Sequence, residues 1–316
     1  MVPAPRRTPL AATPSVRPWP HVLAALLALL VLWTGFSRDL RLPGLYMDSI
    51  NPEYLAVRAL VEDARPDTPA YVLPGNLIAG KYPVLAGSYY HGPLQFYVAL
   101  PVYAVLGTDI VAARVGQFTF GALVLLAMAL LLRKARVAPA PAAAALVLLA
   151  LDPAFMLALK TQGYNIIWPL AWLFLALAVV EHWAGRGRPP AAWQSLLAGL
   201  FAGVAFFCYF VFLFFVPALA IHLVGHLRAT GVRGWKPALG VVSLHGLGFA
   251  IGCAPYLWGY QRAAAATSGW DGFLASSRGT MESLAMQAAP GGTWDNLART
   301  WRMVRRVVDD EWVSRM

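Results

Sequence analysis

From residue 21 to residue 258 the chain is a succession of apolar blocks, each parted from the next by a short cluster of arginine, glycine or proline. The strongest are residues 21–36, 110–132, 138–151, 164–183, 193–207, 210–227 and 237–258. A segment inside lipid has no water to satisfy its N–H and C=O groups, so it crosses as a helix, whose bonds are internal, or as part of a closed barrel. Barrel strands alternate in and out over about ten residues, whereas stretches such as 122–132 and 170–180 are apolar without that alternation. The chain is therefore expected to be an all-α integral membrane protein with about seven transmembrane helices. A mean hydropathy of +0.58 and a charged fraction of 13%, about half that of an ordinary soluble domain, agree with this.

The net charge of +10 would suggest nucleic acid as a partner of a soluble protein. Here the basic residues gather at block ends, which is a topology signal, and no nucleic-acid partner is expected. One further block, residues 93–106, is short of the roughly twenty residues a straight span needs. If it does not cross, the basic clusters all share one side: Arg6, Arg7 and Arg17; Arg133, Lys134 and Arg136; Arg186 and Arg188; Arg228, Arg233 and Lys236. The opposite side then receives residues 37–109, with five basic against seven acidic residues. If it does cross, the later clusters change side and the positive-inside pattern fails. Residues 93–106 are accordingly expected to form an interfacial helix.

The expected organisation is a disordered basic cytoplasmic tail over residues 1–20, with Pro3, Pro5, Pro9, Pro14, Pro18 and Pro20, then a membrane module over 21–260 whose first run reads as a signal anchor. Residues 37–109 form a long first external loop, with a helix starting near Asn51-Pro52, where Asn caps and Pro suits the first turn. Residues 261–316 form an external C-terminal segment; an alternative makes the chain a part of a longer protein that continues beyond Met316. The two cysteines, Cys208 and Cys253, fall inside apolar blocks and indicate neither a disulfide framework nor a zinc site.

Chemistry-bearing residues cluster in or near that first loop. Asp48, a few residues past the first span, reads either as a general base for an acceptor hydroxyl or as a solvated loop acid or helix cap. Glu53 has the same two readings, with a first-turn dipole role favouring the second. Tyr89-Tyr90-His91-Gly92-Pro93-Leu94 puts an imidazole at the opening of the short helix, where unpaired amides suit a phosphate; an interfacial His bonded to backbone fits equally. Lys160-Thr161-Gln162-Gly163-Tyr164-Asn165 supplies a cation and amides at the outer surface, or a simple snorkelling Lys. His222 and His226, spaced i, i+4, could pair on a metal, but with no carboxylate nearby no metal is expected there. Gly199 and Gly203 read as a helix-packing pair.

The order of these pieces resembles the integral membrane glycosyltransferases of the C-type fold, in the branch of protein O-mannosyltransferases and lipid A aminoarabinose transferases. The residues that carry the resemblance are Tyr46-Met47-Asp48 after the first span, His91-Gly92-Pro93-Leu94 opening a surface helix, and Leu106-Gly107-Thr108-Asp109 followed by Ala113-Arg114. The family has a His-Pro-Pro-Leu type of element there; Gly92 replaces its first proline. The resemblance implies that Asp48 is the catalytic carboxylate, that His91 and Tyr90 lie near the donor phosphate, and that Glu53, Lys160, Gln162, Asn165 and Arg114 contribute to substrate binding. Asn165 stands where the family often has an acid, Ser49 where it has a second acid directly after the first, and Tyr209 lies nearest to the place of a phosphate-binding Lys.

The function so implied is transfer of a sugar from a polyprenyl-phosphate-linked donor to an acceptor hydroxyl on a lipid, glycan or protein. The site would face the non-cytoplasmic side of the cell inner (plasma) membrane, in contact with membrane lipid and in the service of the cell envelope. No cofactor is named by the sequence, and dependence on a divalent metal is left open. The alternative, a lipid-linked-sugar flippase or a non-catalytic envelope-assembly protein, predicts charges in mid-span lining a path, and the charges collect instead at span ends.

Overall fold

The structure, a computed structural model, describes residues 18–42, 60–61, 75–78, 82–85, 91–162, 166–187, 189–232 and 234–275. The chain divides into two compact units, Met1–Arg262 and Ala263–Met316. In the second, Thr267 Oγ1 donates to the Ala263 carbonyl at 2.8 Å and Trp270 meets Phe273 edge-on. Residues 1–17 of the basic tail lie outside the described residues, while Trp19 and Pro20, expected to belong to that tail, already form the first turn of a helix. The helix expected after Asn51-Pro52 also lies outside the described residues apart from Leu60 and Val61.

Helix α1 (Trp19–Phe36) shows why the bundle belongs in lipid. Ala24, Ala25, Ala28, Leu32 and Phe36 recur at helical spacing and are buried. Leu23, Leu26, Leu27 and Leu30 on the other faces are exposed. Such an apolar outer surface is unfavourable in water and matched by acyl chains. After a 3-10 turn at Ser37–Asp39 the first loop supplies a small antiparallel hairpin, β1 (Leu77–Ile78) and β2 (Tyr82–Pro83), with Leu77 opposite Pro83.

Helix α2 (Leu94–Leu106) is as short as the sequence suggests. At 1.5 Å per residue it extends about 20 Å, less than the hydrocarbon thickness. Gly107, at φ +82°, ends it in a conformation that side chains disfavour. The Asp109 carboxylate then accepts the Ala112 N–H at 2.8 Å and starts α3 (Ile110–Lys134). Arg133 and Lys134 occupy the last turn of α3, where its dipole favours cations.

The block 138–151 does not form a span by itself. It forms α4 (Pro139–Leu151), followed at once by α5 (Pro153–Gln162) at a bend of 55°. The cause is local: the residue before a proline avoids the helical region, and Asp152 is extended at ψ 118°. The remaining helices are α6 (Trp168–Ala184), α7 (Ala192–Cys208), α8 (Val216–Ala229), which follows a 3-10 stretch at Phe210–Phe215, and α9 (Trp235–Ala266).

Helix α3 is central, packing on α6, α1 and α2, while α6 packs in turn on α7. The α7–α9 seam is built on glycine, as Gly199 and Gly203 suggested. A Cβ on Gly199 would overlap the His245 carbonyl, and one on Gly203 that of Phe249; Gly248 and Gly252 answer from α9 against Leu196 and Leu200. The two backbones therefore touch. Among the described residues four helices are long and apolar enough to span a membrane, or five if the bent pair α4–α5 counts as one. The all-α membrane fold holds; a count of seven is not confirmed, since α6 and α7 have 17 residues each.

Candidate active site

Two anchor points flank the segment between α1 and α2. The first surrounds the exit of α1. Arg114, one turn into α3, is completely buried. Its Nε donates to the Leu40 carbonyl at 3.2 Å, and its Nη1 donates to Gln117 Oε1 at 2.7 Å and to the Lys160 carbonyl. Lys160, in the last turn of α5, sends Nζ back to the carbonyls of Asp39 (2.9 Å) and Leu42 (3.2 Å) and lies 5.2 Å from the Phe36 ring centroid. The bend at Pro153 is what turns α5 toward the end of α1. Two cationic side chains are thus gathered at the end of α1, beside the Asp39 carboxylate, and cations are the groups that hold a phosphate.

The second anchor point closes the loop. His91 forms an antiparallel bridge with Tyr209, the extended residue that ends α7, and its ring stacks on the Tyr209 ring at 4.8 Å and 19°. Next to it, Gly92 allows the backbone to lie on Phe207, since a Cβ there would overlap the Phe207 carbonyl and ring. Burial pushes the His91 pKa down to about 3, so the imidazole is neutral at physiological pH. It is able to share a hydrogen bond but not to act as a counter-ion.

Between these points the hairpin is held as well. Arg262 donates from Nε to the Gly75 carbonyl (2.7 Å) and from Nη2 to the Leu77 carbonyl (3.0 Å), while Tyr97 Oη donates to the Pro83 carbonyl. Leu85 is fully buried against Phe207 and Tyr256.

Of the residues expected from the sequence, the structure brings Arg114 and Lys160 into direct contact and sets His91 on Tyr209. Asp48, Glu53, Tyr90, Asn165 and the side chain of Gln162 lie outside the described residues.

The family model for dolichyl-phosphate-mannose-protein mannosyltransferases matches residues 90–253, a stretch that begins beside His91 and takes in Arg114, Lys160 and Tyr209. The chain belongs to this mannosyltransferase family. No curated protein and no solved structure matches it. Membership of the mannosyltransferase family makes the protein an integral membrane glycosyltransferase that works with a lipid-linked sugar donor. Asp48 precedes the segment on which that membership rests.

Sequence reasoning missed several members of these clusters. Gln117 was within reach, because a polar residue three positions from Arg114 shares its helix face. The carbonyls of Asp39, Leu40 and Leu42 carry no side-chain signal at all. Glu181 was missed too: it lies on α6 with Oε1 2.9 Å from Nε2 of both His222 and His226, so the histidine pair does have a carboxylate beside it.

Proposed function

We propose that the protein transfers a glycosyl group from a polyprenyl-phosphate donor to an acceptor hydroxyl on the non-cytoplasmic face of the plasma membrane, with Asp48 as general base. The acceptor oxygen attacks the anomeric carbon, its proton passes to the Asp48 carboxylate, and the bond from the anomeric carbon to the phosphate oxygen breaks. The phosphate leaves with that electron pair and the anomeric configuration inverts. Phosphate is already a good leaving group, so charge stabilisation matters more than its protonation.

The observation that carries this reading is the cationic pair Arg114–Lys160, locked onto the main chain just upstream of Asp48. It gathers two cations of the kind a leaving phosphate attracts and holds the main chain from which the segment bearing the proposed base departs. His91 and Tyr90 would complete the phosphate pocket as neutral hydrogen-bonding groups, with Glu53, Gln162 and Asn165 on the sugar or acceptor side. The one-sided distribution of the basic clusters supports the non-cytoplasmic assignment.

The test is transfer from a radiolabelled polyprenyl-phosphate sugar in membranes holding wild type or Asp48→Asn at equal abundance. Loss of turnover by at least about 100-fold is expected, the scale of one general base. Undiminished turnover in Asp48→Asn would remove Asp48 from the mechanism.

A further inference from the structure

At the opposite end of α6 from Lys160, three side chains converge that the transfer reaction does not use. His222 and His226 lie one turn apart on α8, with ring centroids 4.4 Å apart and ring planes at 89°. Glu181 reaches them from α6, and a single oxygen, Oε1, lies 2.9 Å from both Nε2 atoms. One ligand atom from each of the three residues falls within 4.8 Å of the others.

The two contacts are not alike. His226 Nε2 is aligned for a hydrogen bond to Glu181. His222 Nε2 is equally close and is shielded from solvent, yet makes no hydrogen bond. A ring nitrogen that lies this close to a carboxylate oxygen without being directed at it is in the relation two ligands have across a shared cation. A tetrahedral ion with bonds of about 2.0–2.2 Å separates its ligand atoms by about 3.4 Å. The rings therefore need only small shifts to admit one.

Supporting contacts hold the set in place. The Trp183 ring packs edge-on against His226 at 6.1 Å. Lys134 Nζ donates to His182 Nδ1 at 3.0 Å, which keeps this neighbouring cation on another partner. His222 also lines a cavity of about 260 Å³ bounded by α6, α7, α8 and α9, which has room for a water as fourth ligand.

We propose that Glu181, His222 and His226 form a binding site for a divalent transition-metal ion of the zinc class, which fastens α6 to α8. Two imidazoles and one carboxylate suit zinc better than calcium or magnesium, whose ligands are oxygens. The site is separate from the sugar-transfer chemistry and stands or falls independently of it.

The experiment uses the full chain, purified in detergent through a tag free of histidine, stripped with chelator and then dialysed against Zn²⁺ or Co²⁺. One zinc per chain by atomic emission is expected, with the intense visible bands of tetrahedral cobalt and a rise in melting temperature on adding zinc. In Glu181→Gln and His222→Asn the zinc falls to background, while the metal-free melting temperature stays that of stripped wild type. Wild type that takes up only background zinc, with no cobalt bands and no thermal shift, overturns the proposal. So does stoichiometric zinc retained by both variants, which would place the ion elsewhere.

Discussion

The two ends of α6 deploy polar side chains in different ways. At the end near Lys160, the donors of Arg114 and Lys160 go largely to main-chain carbonyls, and the main chain they hold is the exit of the first helix. At the end near Glu181, side chains mostly meet side chains, a carboxylate with two imidazoles and Lys134 with His182, beside one bond from Arg136 to the Gly185 carbonyl. A side chain bonded to backbone fixes the course of the polypeptide, because those carbonyls have no other use and cannot be rotated away. A side chain bonded to another side chain is able to change partner while the helices stay where they are. The first arrangement suits a place that must hold its geometry for chemistry, and the second a place where an ion or a proton comes and goes.

The largest expected effect comes from breaking the backbone-directed end. Arg114→Leu leaves the part-buried Leu40 and Lys160 carbonyls without this donor, a cost of about 2–4 kcal/mol at 1–2 for each group. The melting temperature in detergent should fall sharply and transfer should be lost. Arg114→Lys should rescue little, because one ammonium cannot reproduce the spread of a guanidinium over Leu40, Gln117 and Lys160.

On the other side of the comparison, Gly199→Val drives a side chain into the His245 carbonyl and forces α7 from α9, at about 1–3 kcal/mol. Its signature is a lower melting temperature with the KM for the donor unchanged. A change in KM would mean that the two ends are coupled through α7.

His91 gives a smaller, pH-dependent effect. The folded state holds the imidazole proton less readily than the unfolded chain. The stability tied to the neutral ring is therefore complete above about pH 6.5 and is lost as pH falls from there toward 3. The slope reaches about 1.4 kcal/mol per pH unit. Melting temperatures between pH 7 and 5 should drop in wild type and flatten in His91→Gln. Lys160→Met should cost least, about 1 kcal/mol for exposed donors that water partly replaces. It should nevertheless weaken donor binding, read as a raised KM, because it removes a charge.

Much of the bundle was legible in the amino-acid sequence, since helical blocks advertise themselves by apolar length and by what stands at their ends. Asp109 and Gly107 mark the start of α3 and the end of α2 as a cap and a breaker should. The spacing of Gly199 and Gly203 signals close packing, and the same spacing at Gly248 and Gly252 supplies the partner. The break after Asp152 was visible as Pro153, yet the block 138–151 was taken for a span although its fourteen residues reach only about 21 Å. The candidate site was less legible for a physical reason. Arg114 and Lys160 stand out as residue types, but their partners are carbonyls, which every residue has. Glu181 meets His222 and His226 because α6 lies against α8, and nothing in local spacing brings residues that far apart in the chain together.

The hold of Lys160 on the Leu42 carbonyl also has a metric meaning. Asp48 follows Leu42 by six residues, and a fully extended chain advances about 3.4 Å per residue. Asp48, the base proposed above, is therefore leashed within about 20 Å of the Leu42 carbonyl. On the proposed mechanism an acceptor must bring its hydroxyl inside that radius to be activated. The short backbone-bonded segment after α1 would then act as a ruler, setting how far from the end of that helix an acceptor is able to react.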